Sequence, residues 1–336
     1  MNILITAPFD DSGLQILRNL SGMKVLYENW RETGVIYFDE DELIEKLNSN
    51  KIDFFITEGD EVDSTVIENT ELKLIGCTRG TPVNIDLDAA KERNIPVIFT
   101  PFRNADAVAD LTVAMMLSQA RKMVEIDRFL RDGNFDVSEL DDDGFADFFN
   151  RFMGIELGGL TIGIIGFGQI GQRVGKRLFH GFGSKILFYD PYITEDHPNV
   201  VSTQAIKVDL KSLMKDSDMI SIHTPSNEET EELVNESLFK LMKPTAYFFN
   251  LSRSYCIDED ALFDALKNNR IAGAGLDVFD DEPVDSDNRF LQFDNVTVMP
   301  HFGGNTRDVI RHQTEMIVSD VLNFINNRTM EYQWNS

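Results

Sequence analysis

Cysteine is scarce in this chain of 336 residues, which contains only Cys77 and Cys256. Two thiols so far apart in sequence favour neither a disulfide framework nor a metal cluster, and we expect both to be partly buried thiols in a reducing compartment. Four histidines show no metal-ligand spacing with one another or with cysteine: His180, His197, His223 and His312. We therefore predict no metal site.

Long apolar segments are also missing. The longest apolar runs, such as residues 162–165 and 247–249, fall far short of the ~20 residues that a membrane-spanning helix needs. The first residues, MNILITAPFDDSG, have neither the basic residues nor the long apolar segment of a secretory signal. We therefore expect no membrane partner and a cytoplasmic protein.

Positive charge is in the minority throughout the chain. Lysine and arginine together number 31 against 57 aspartates and glutamates, so that the formal net charge is −26. Such a charge repels phosphate backbones and anionic lipid, and it argues against nucleic acid as a partner. A site for an anionic ligand must then gather positive potential locally, through arginine side chains and helix N-termini.

The hydrophobic pattern indicates two α/β units in succession. Hydrophobic residues make up 42% of the chain, which supports folded cores, and the length favours two domains. Short apolar runs alternate with amphipathic stretches, which predicts parallel sheets built from βαβ units. The runs expected to form strands are residues 2–7, 23–27, 52–56, 72–76 and 95–99, followed by 161–166, 185–189, 218–223, 245–250, 271–277 and 296–299.

Three further segments connect or close these units. A long helical pattern runs from Asn104 to about Arg131. Residues 134–152 mix acidic and aromatic side chains, and we expect them to form an ordered connection over the surface. The chain ends in a helical pattern from about Thr306 to Asn326, which could return to cover the first domain.

Residues 166–171 read GFGQIG, a glycine pattern that is weak evidence when it stands alone. Here it follows the apolar run TIGII and precedes an amphipathic helical pattern, which is the context that dinucleotide binding requires. Gly166 permits the tight turn, Gly168 lets backbone approach a pyrophosphate, and Gly171 brings helix close to strand. The helix N-terminus then offers free N–H groups to the phosphates.

The next predicted strand ends at Asp190. A carboxylate at this place can accept hydrogen bonds from both ribose hydroxyls of NAD, and it repels the 2′-phosphate of NADP. Pro191 and Tyr192 bring no arginine that could offset this repulsion. NAD is therefore the expected cofactor.

Chemically useful side chains follow three of the later predicted strands, and ligands of open parallel sheets bind at the carboxyl ends of strands. Reduction of a 2-keto acid requires a cation for the carboxylate, a hydride donor, and an acid that protonates the new alkoxide. Arg253 suits the first role and His301 the last, since an imidazole has an ordinary pKa of ~6.5. Glu282 is the candidate neighbour that favours imidazolium and orients the ring.

Each of these residues also has an ordinary structural explanation: a surface arginine, a structural histidine and a solvated acidic loop. The combination of all three residues favours a catalytic site. The sequence contains no GxxxxGK[ST] loop, so nucleotide hydrolysis is not supported.

Over nearly its full length the chain resembles the D-isomer-specific 2-hydroxyacid dehydrogenase family. The matching stretches are GTPVNID (80–86), NADAVADLTVAMML (104–117), GIIGFGQIG (163–171), YDP (189–191), HTPSNEET (223–230), NLSRSYCIDEDAL (250–262), AGAGLDVFDDEP (272–283) and MPHFGG (299–304). Their order and spacing are specific to this family.

The resemblance implies a Rossmann-type NAD-binding domain at residues 101–302, inserted into a smaller flavodoxin-like substrate domain formed by residues 1–100 and 303–336. It further implies an active site between the domains, a homodimer built around the nucleotide domains, and a small anionic 2-keto or 2-hydroxy acid as substrate. The implied catalytic residues are Arg253, Glu282 and His301, and the implied substrate-binding residues are Arg79, Gly80, Arg253 and His301. Asp277 is implied as the contact to the nicotinamide carboxamide, and the remaining cofactor-binding residues are Gly166, Gly168, Gln169, Ile170, Gly171, Asp190, Thr224, Pro225, Thr230, Leu251 and Gly303.

The chain departs from the family pattern in several places. Ser254 stands where glycine usually follows the catalytic arginine, and Asp110 stands where glutamate is usual. Arg79 adds a cation to the substrate loop, where it could neutralise a second anionic group or face solvent. Residues 56–65 have no arginine at the place where phosphoglycerate dehydrogenases often contact phosphate, and we expect no C-terminal regulatory domain of the kind that many of them have. Phosphoglycerate is therefore an alternative substrate, not the preferred one.

A second class of function shares this scaffold. Corepressor-like adaptors that bind peptides when loaded with NADH resemble the family and can retain the same three residues. These residues therefore do not distinguish an adaptor from an enzyme, since a fold alone does not fix function. Weak turnover of every keto acid would favour such an adaptor. A formate dehydrogenase is less favoured, since that relative lacks the glutamate that occurs here as Glu282.

Overall fold

The computed structural model describes residues 1–133 and 142–334. The chain divides into two compact α/β units, one formed by Met1–Asn104 with Asn305–Ser336 and the other by Ala105–Gly304. These borders lie a few residues beyond 100 and 302, because a helix begins at Ala105 and the loop that carries His301 stays with the second unit. The predicted parallel α/β fold is confirmed in both units.

The first unit contains a five-stranded parallel sheet of order β2-β1-β3-β4-β5, which is the flavodoxin-like order. Its strands are β1 (Asn2–Ile5), β2 (Lys24–Tyr27), β3 (Phe54–Thr57), β4 (Leu74–Cys77) and β5 (Val97–Phe99). Its helices are α1 (Asp11–Arg18), α2 (Trp30–Thr33), α3 (Glu40–Ser49), α4 (Ser64–Glu68), α5 (Leu87–Glu92) and the C-terminal α14 (Arg307–Ile325).

Both faces of this sheet are covered, which explains why its strands are apolar without a polar face. Ile3 and Ile5 of β1 point to one face and pack in a cluster with Ile317 of α14. Leu4, between them, points to the other face and packs with Leu43 of α3. The strand period of two thus sends alternate residues into two separate cores.

The second unit contains a seven-stranded parallel sheet of order β12-β11-β10-β9-β6-β7-β8. This is the Rossmann order with one strand added beyond the sixth. Its strands are β6 (Thr161–Ile165), β7 (Lys185–Tyr189), β8 (Ile206–Lys207), β9 (Met219–Ile222), β10 (Tyr247–Asn250), β11 (Gly273–Leu276) and β12 (Val296–Val298). Its helices are α6 (Ala105–Ala120), α7 (Met123–Arg131), α8 (Asp142–Arg151), α9 (Gln169–Phe182), α10 (Pro198–Thr203), α11 (Leu210–Asp216), α12 (Glu236–Phe239) and α13 (Glu259–Lys267).

The long helix predicted from Asn104 to Arg131 is two helices. Lys122 has a left-handed backbone (φ 51°), which ends the run after α6. The carbonyl of Ala120 instead accepts a hydrogen bond from the N–H of Ile155 at 2.8 Å. Of the connection expected at 134–152, residues 134–141 lie outside the described residues, and the remainder includes helix α8.

No helix among the described residues combines the length and the apolar character needed to cross a bilayer.

Candidate active site

The glycine loop joins β6 to α9, and two of its glycines are required by the protein's own packing. Gly166 has φ +85°, and a Cβ atom there would lie 2.7 Å from the carbonyl oxygen of His223. A Cβ on Gly171 would lie 2.1 Å from the carbonyl oxygen of Gly166. Any larger residue at either place must therefore displace backbone.

Gly168 differs, because a Cβ there would meet nothing within 4 Å. It is the N-cap of α9 and supplies no side-chain cap, whereas Asp209 and Asp258 cap α11 and α13 with their carboxylates. The N–H groups of Gln169 and Ile170 donate to no acceptor among the described residues. An open approach to free N–H groups at a helix N-terminus fits a pyrophosphate.

Asp190 lies directly after β7 and is 8% exposed. One carboxylate oxygen accepts from the N–H of Phe167 at 2.8 Å, and the other accepts from the N–H groups of Tyr192 and Ile193 at 2.8 and 3.0 Å. Since a carboxylate offers about four lone-pair sites, three are occupied and one remains. The structure thus leaves room for one of the two ribose hydroxyl bonds predicted from the sequence. The carboxylate also holds the glycine loop in place.

Unpartnered polar atoms occur after β9, beside the glycine loop. Within the described residues, His223 Nδ1 and Thr224 Oγ1 are buried without a hydrogen-bond partner. Such atoms are costly unless a ligand or water satisfies them, which again fits a bound cofactor. Burial lowers the pKa of His223 to about 3, so this imidazole stays neutral near pH 7 and cannot donate a proton.

The other residues implied for cofactor binding lie at the same edge of the sheet. Thr230 donates its hydroxyl to the carbonyl of Pro225 at 2.7 Å, which closes the turn after Thr224. Leu251 directly follows β10 and is buried in a hydrophobic cluster of the second unit. Gly303 donates its N–H to Asp277 at 2.8 Å.

His301 and Glu282 form a close pair although 19 positions separate them. His301 Nδ1 lies 2.7 Å from Glu282 Oε2, and the other oxygen of Glu282 accepts from the N–H of Phe279 at 3.0 Å. The carboxylate is therefore fixed on both sides. The backbone of His301 is left-handed, with φ 60°.

Asp277 organises the loop that carries His301. Its carbonyl accepts from the N–H of His301 at 2.8 Å, and its carboxylate accepts from the N–H groups of Phe302 and Gly303 at 2.7 and 2.8 Å. Burial raises the pKa of Asp277, while these N–H groups lower it. The sequence resemblance implied a cofactor contact here, and the geometry adds this positioning contact to it.

Arg253 is the third residue beyond β10, on a loop held by Asn250. The Asn250 side chain donates to the carbonyl of Arg253 and accepts from the N–H of Ser252, both at 3.0 Å. The Arg253 side chain is exposed, and its only hydrogen bond among the described residues is to the carbonyl of Ser252 at 2.7 Å. Ser254 begins a short 3₁₀ turn outside the left-handed region, so glycine is not required there.

The three candidate catalytic residues follow β10, β11 and β12, which are neighbours in the sheet. A chain of backbone hydrogen bonds joins these loops, since the N–H of Asp277 donates to the carbonyl of Asn250 at 2.9 Å and that of His301 to Asp277. The sheet register thus brings together residues that are far apart in sequence.

In the first unit, the predicted substrate loop follows β4. The N–H groups of Gly80 and Thr81 donate to no acceptor among the described residues, and a Cβ on Gly80 would meet nothing within 4 Å. Arg79 Nε donates to the carbonyl of Glu58 at 2.5 Å. Free N–H groups on an open loop can bind a carboxylate.

Several polar residues near these loops were missed from the sequence. In the first unit, Trp30 and Arg103 both donate hydrogen bonds to the carboxylate of Glu58. In the second unit, Glu259 accepts from the N–H of Asp280 at 2.9 Å and so anchors the loop of Glu282. The sequence places these residues just after predicted strands or in the first turn of a helix. Many surface residues have the same position, so it does not identify a functional side chain.

Asp110 takes part in an ion pair between helices. Its carboxylate lies 2.6 Å from Arg177 Nε of α9, so the shorter acid still reaches a partner.

Among the described residues, no group of three or more His, Cys, Asp or Glu side chains could hold a metal ion.

The Rossmann sheet, the open glycine loop and the acid after β7 are typical of a dinucleotide-binding protein. Residues 113–303 match the profile described as the NAD binding domain of D-isomer specific 2-hydroxyacid dehydrogenases. The chain belongs to the D-isomer specific 2-hydroxyacid dehydrogenase family, and its cofactor is NAD. The family and cofactor predicted from the sequence are thereby confirmed.

Individual relatives agree with this assignment. YoaD of Bacillus subtilis strain 168, which its name places among the 2-hydroxyacid dehydrogenases, is 38% identical over 335 residues, covering 99% of this chain and 93% of the relative. The glyoxylate reductase of Thermococcus litoralis is 38% identical over 284 residues, covering 84% and 82%. The structure of D-lactate dehydrogenase from Escherichia coli matches with a TM-score of 0.79 at 26% identity, covering 100% of both chains.

We predict that Gly168→Ala weakens NADH binding about tenfold or more, because a methyl group would stand between the pyrophosphate and the free N–H groups of α9. Folding should be unaffected, since the new Cβ meets nothing within 4 Å. Gly181→Ala is the matched control, because Gly181 lies near the other end of α9 and its Cβ would be equally free. A fluorescence titration in which both variants bind NADH like the wild type would contradict this role of Gly168.

Proposed function

We propose that this protein interconverts a small 2-keto acid and its D-2-hydroxy acid with NAD. The observation that carries the proposal is the 2.7 Å contact between His301 Nδ1 and Glu282 Oε2, on loops bonded to that of Arg253. An imidazole held by a carboxylate, together with a guanidinium that forms no ion pair among the described residues, supplies both the proton and the anion binding that keto-acid reduction needs.

Each residue has a separate role in the proposed reaction. Arg253 holds the substrate carboxylate through two parallel hydrogen bonds, and the free loop amides of Gly80 and Thr81 provide further donors. NADH, when bound, supplies the hydride for the carbonyl carbon. His301 gives a proton to the carbonyl oxygen as the electron pair of the C=O bond moves onto that oxygen, and it takes the proton back in the reverse direction.

Glu282 determines which nitrogen of His301 exchanges the proton. An ionised carboxylate accepts a hydrogen bond, so Nδ1 carries a hydrogen and points at Glu282. Nε2 is then the nitrogen that faces the substrate. Glu282 also stabilises the imidazolium that donates the proton.

We also propose a homodimer and a cytoplasmic location. The support for a dimer is a set of exposed apolar side chains on and near α7 and α8, an arrangement typical of an interaction surface: Met123, Leu130, Phe145, Phe149 and Met153. The support for the location is that both cysteines are buried free thiols. Light scattering that gives a monomer mass, or fractionation that finds the protein outside the cytoplasm, would contradict these proposals.

The test of the proposed function is NADH consumption with the purified protein and a panel of 2-keto acids. The panel contains glyoxylate, pyruvate, hydroxypyruvate, 2-ketoglutarate, branched keto acids and phosphohydroxypyruvate, each repeated with NADPH. We expect rapid turnover of at least one acid with NADH and much slower turnover with NADPH, because Asp190 repels a 2′-phosphate. Tight NADH binding without turnover of any acid would contradict the proposal and favour the NADH-sensing adaptor.

A further inference from the structure

We propose that the preferred substrate carries a second anionic group on its side chain and that the guanidinium of Arg79 binds this group. The inference rests on the proposed keto-acid function and names the class of acid. It comes from a polar cluster in the first unit formed by Trp30, Glu58, Arg79 and Arg103.

The strand order of the sheet brings this cluster together. Trp30, Glu58, Arg79 and Arg103 each follow a different strand, namely β2, β3, β4 and β5. The carboxyl ends of parallel strands meet at one edge of a sheet, which is where open α/β sheets bind ligands. The cluster therefore belongs to the same edge as the free amides of Gly80 and Thr81.

Glu58 and Arg103 neutralise each other. Arg103 Nη2 lies 2.7 Å from Glu58 Oε1, and the two side chains are only 17% and 13% exposed. The other carboxylate oxygen accepts from Trp30 Nε1 at 3.0 Å. Both oxygens of Glu58 are thus engaged, and Arg103 has its counter-ion.

Arg79 is also held by Glu58, but its positive charge is not paired with the Glu58 carboxylate. Its Nε donates to the backbone carbonyl of Glu58, not to the carboxylate, and it forms no ion pair within the described part of the chain. Neither of its terminal nitrogens has a hydrogen-bond partner among the described residues. A guanidinium anchored at Nε presents two terminal N–H groups in a fixed plane, which suits a carboxylate or a phosphate.

The charge of this cluster exceeds what a monoanionic substrate needs. The proposed function already provides Arg253 and the free amides of Gly80 and Thr81 for the carboxylate common to all 2-keto acids. The net positive charge of the cluster then remains on Arg79, in a chain whose formal net charge is −26. A second oxyanion, either carboxylate or phosphate, is the ligand that this remaining cation recognises.

The test compares kcat/KM for matched pairs of acids with NADH as the reductant. Oxaloacetate is paired with 2-ketobutyrate, 2-ketoglutarate with 2-ketovalerate, and phosphohydroxypyruvate with hydroxypyruvate. We expect the wild type to prefer the dianionic member of at least one pair, and the pair concerned distinguishes carboxylate from phosphate. Arg79→Gln should lower this preference about 10- to 100-fold, mainly through KM, because the interaction forms equally in the ground and transition states.

Three further variants test the arrangement. Arg103→Gln should also lower the preference, because the unpaired Glu58 carboxylate would then attract Arg79, whereas Arg103→Lys should retain most of it. Arg18→Gln removes the same charge from the exposed end of α1, at the opposite edge of the sheet, and should leave the preference unchanged.

The outcomes separate this inference from the proposed function. A wild type that prefers monoanionic acids, or an Arg79→Gln variant that loses both classes equally, would overturn the role of Arg79 while the enzyme remains a keto-acid reductase. Absence of turnover with every acid would contradict the proposed function itself.

Discussion

Replacing His301 with asparagine should lower kcat for keto-acid reduction by about 10²- to 10⁴-fold, which is the range expected for loss of a general acid. NADH affinity should stay close to that of the wild type, because the His301 side chain contacts Glu282 and not the glycine loop. Asparagine is the suitable replacement because His301 has φ 60°, and asparagine tolerates the left-handed region better than most residues. The backbone N–H can therefore keep its hydrogen bond to Asp277.

The measurement is steady-state NADH oxidation together with a fluorescence titration of NADH. His180→Asn is the control, because this exposed histidine lies at the end of α9 and has no role in the proposed chemistry. Glu282→Gln should give an intermediate loss, since the amide can still contact the ring but no longer stabilises the imidazolium. A His301→Asn variant with near wild-type kcat would show that another group supplies the proton.

Sequence patterns predicted β7 in the second unit and the C-terminal helix α14 in the first unit well, because the signals of both elements are local. The run KILFY became β7 with the bounds expected, and the predicted C-terminal helix extends over Arg307–Ile325, between Thr306 and Asn326. Gly166 and Gly171 fulfil packing requirements that follow from the turn itself. The break at Lys122 was missed because a left-handed lysine has no glycine or proline to indicate it.

Contacts between distant residues could be predicted only as far as the resemblance reached. The requirements of keto-acid reduction suggested Glu282 as the neighbour of His301, and the family pattern agreed, whereas a separation of 19 positions indicates nothing by itself. The contact of Glu58 with Arg103 had no such guide. The contact between Glu58 and Arg103 depends on the strand order, which places β5 beyond β4 at the edge of the first sheet. It also depends on which side chains pair at that edge.

The second large effect concerns Arg253. Arg253→Gln should lower kcat/KM about 100-fold or more, because the substrate carboxylate loses a charge-assisted pair of hydrogen bonds. The loop should keep its conformation, since Asn250 holds the Arg253 carbonyl and the Ser252 N–H through contacts that do not involve the arginine side chain. Arg253→Lys should also be impaired, because an ammonium cannot form two parallel hydrogen bonds in the plane of a carboxylate.

The comparison that isolates this effect is Arg270→Gln, which removes an exposed arginine from the same unit after α13. Its kcat/KM should stay near the wild-type value, because Arg270 follows α13 and not the carboxyl end of a strand. Circular dichroism checks that both variants are folded, and NADH titration checks that the glycine loop is intact. If Arg253→Gln and Arg270→Gln reduce kcat/KM equally, the loss reflects net charge and Arg253 does not hold the carboxylate.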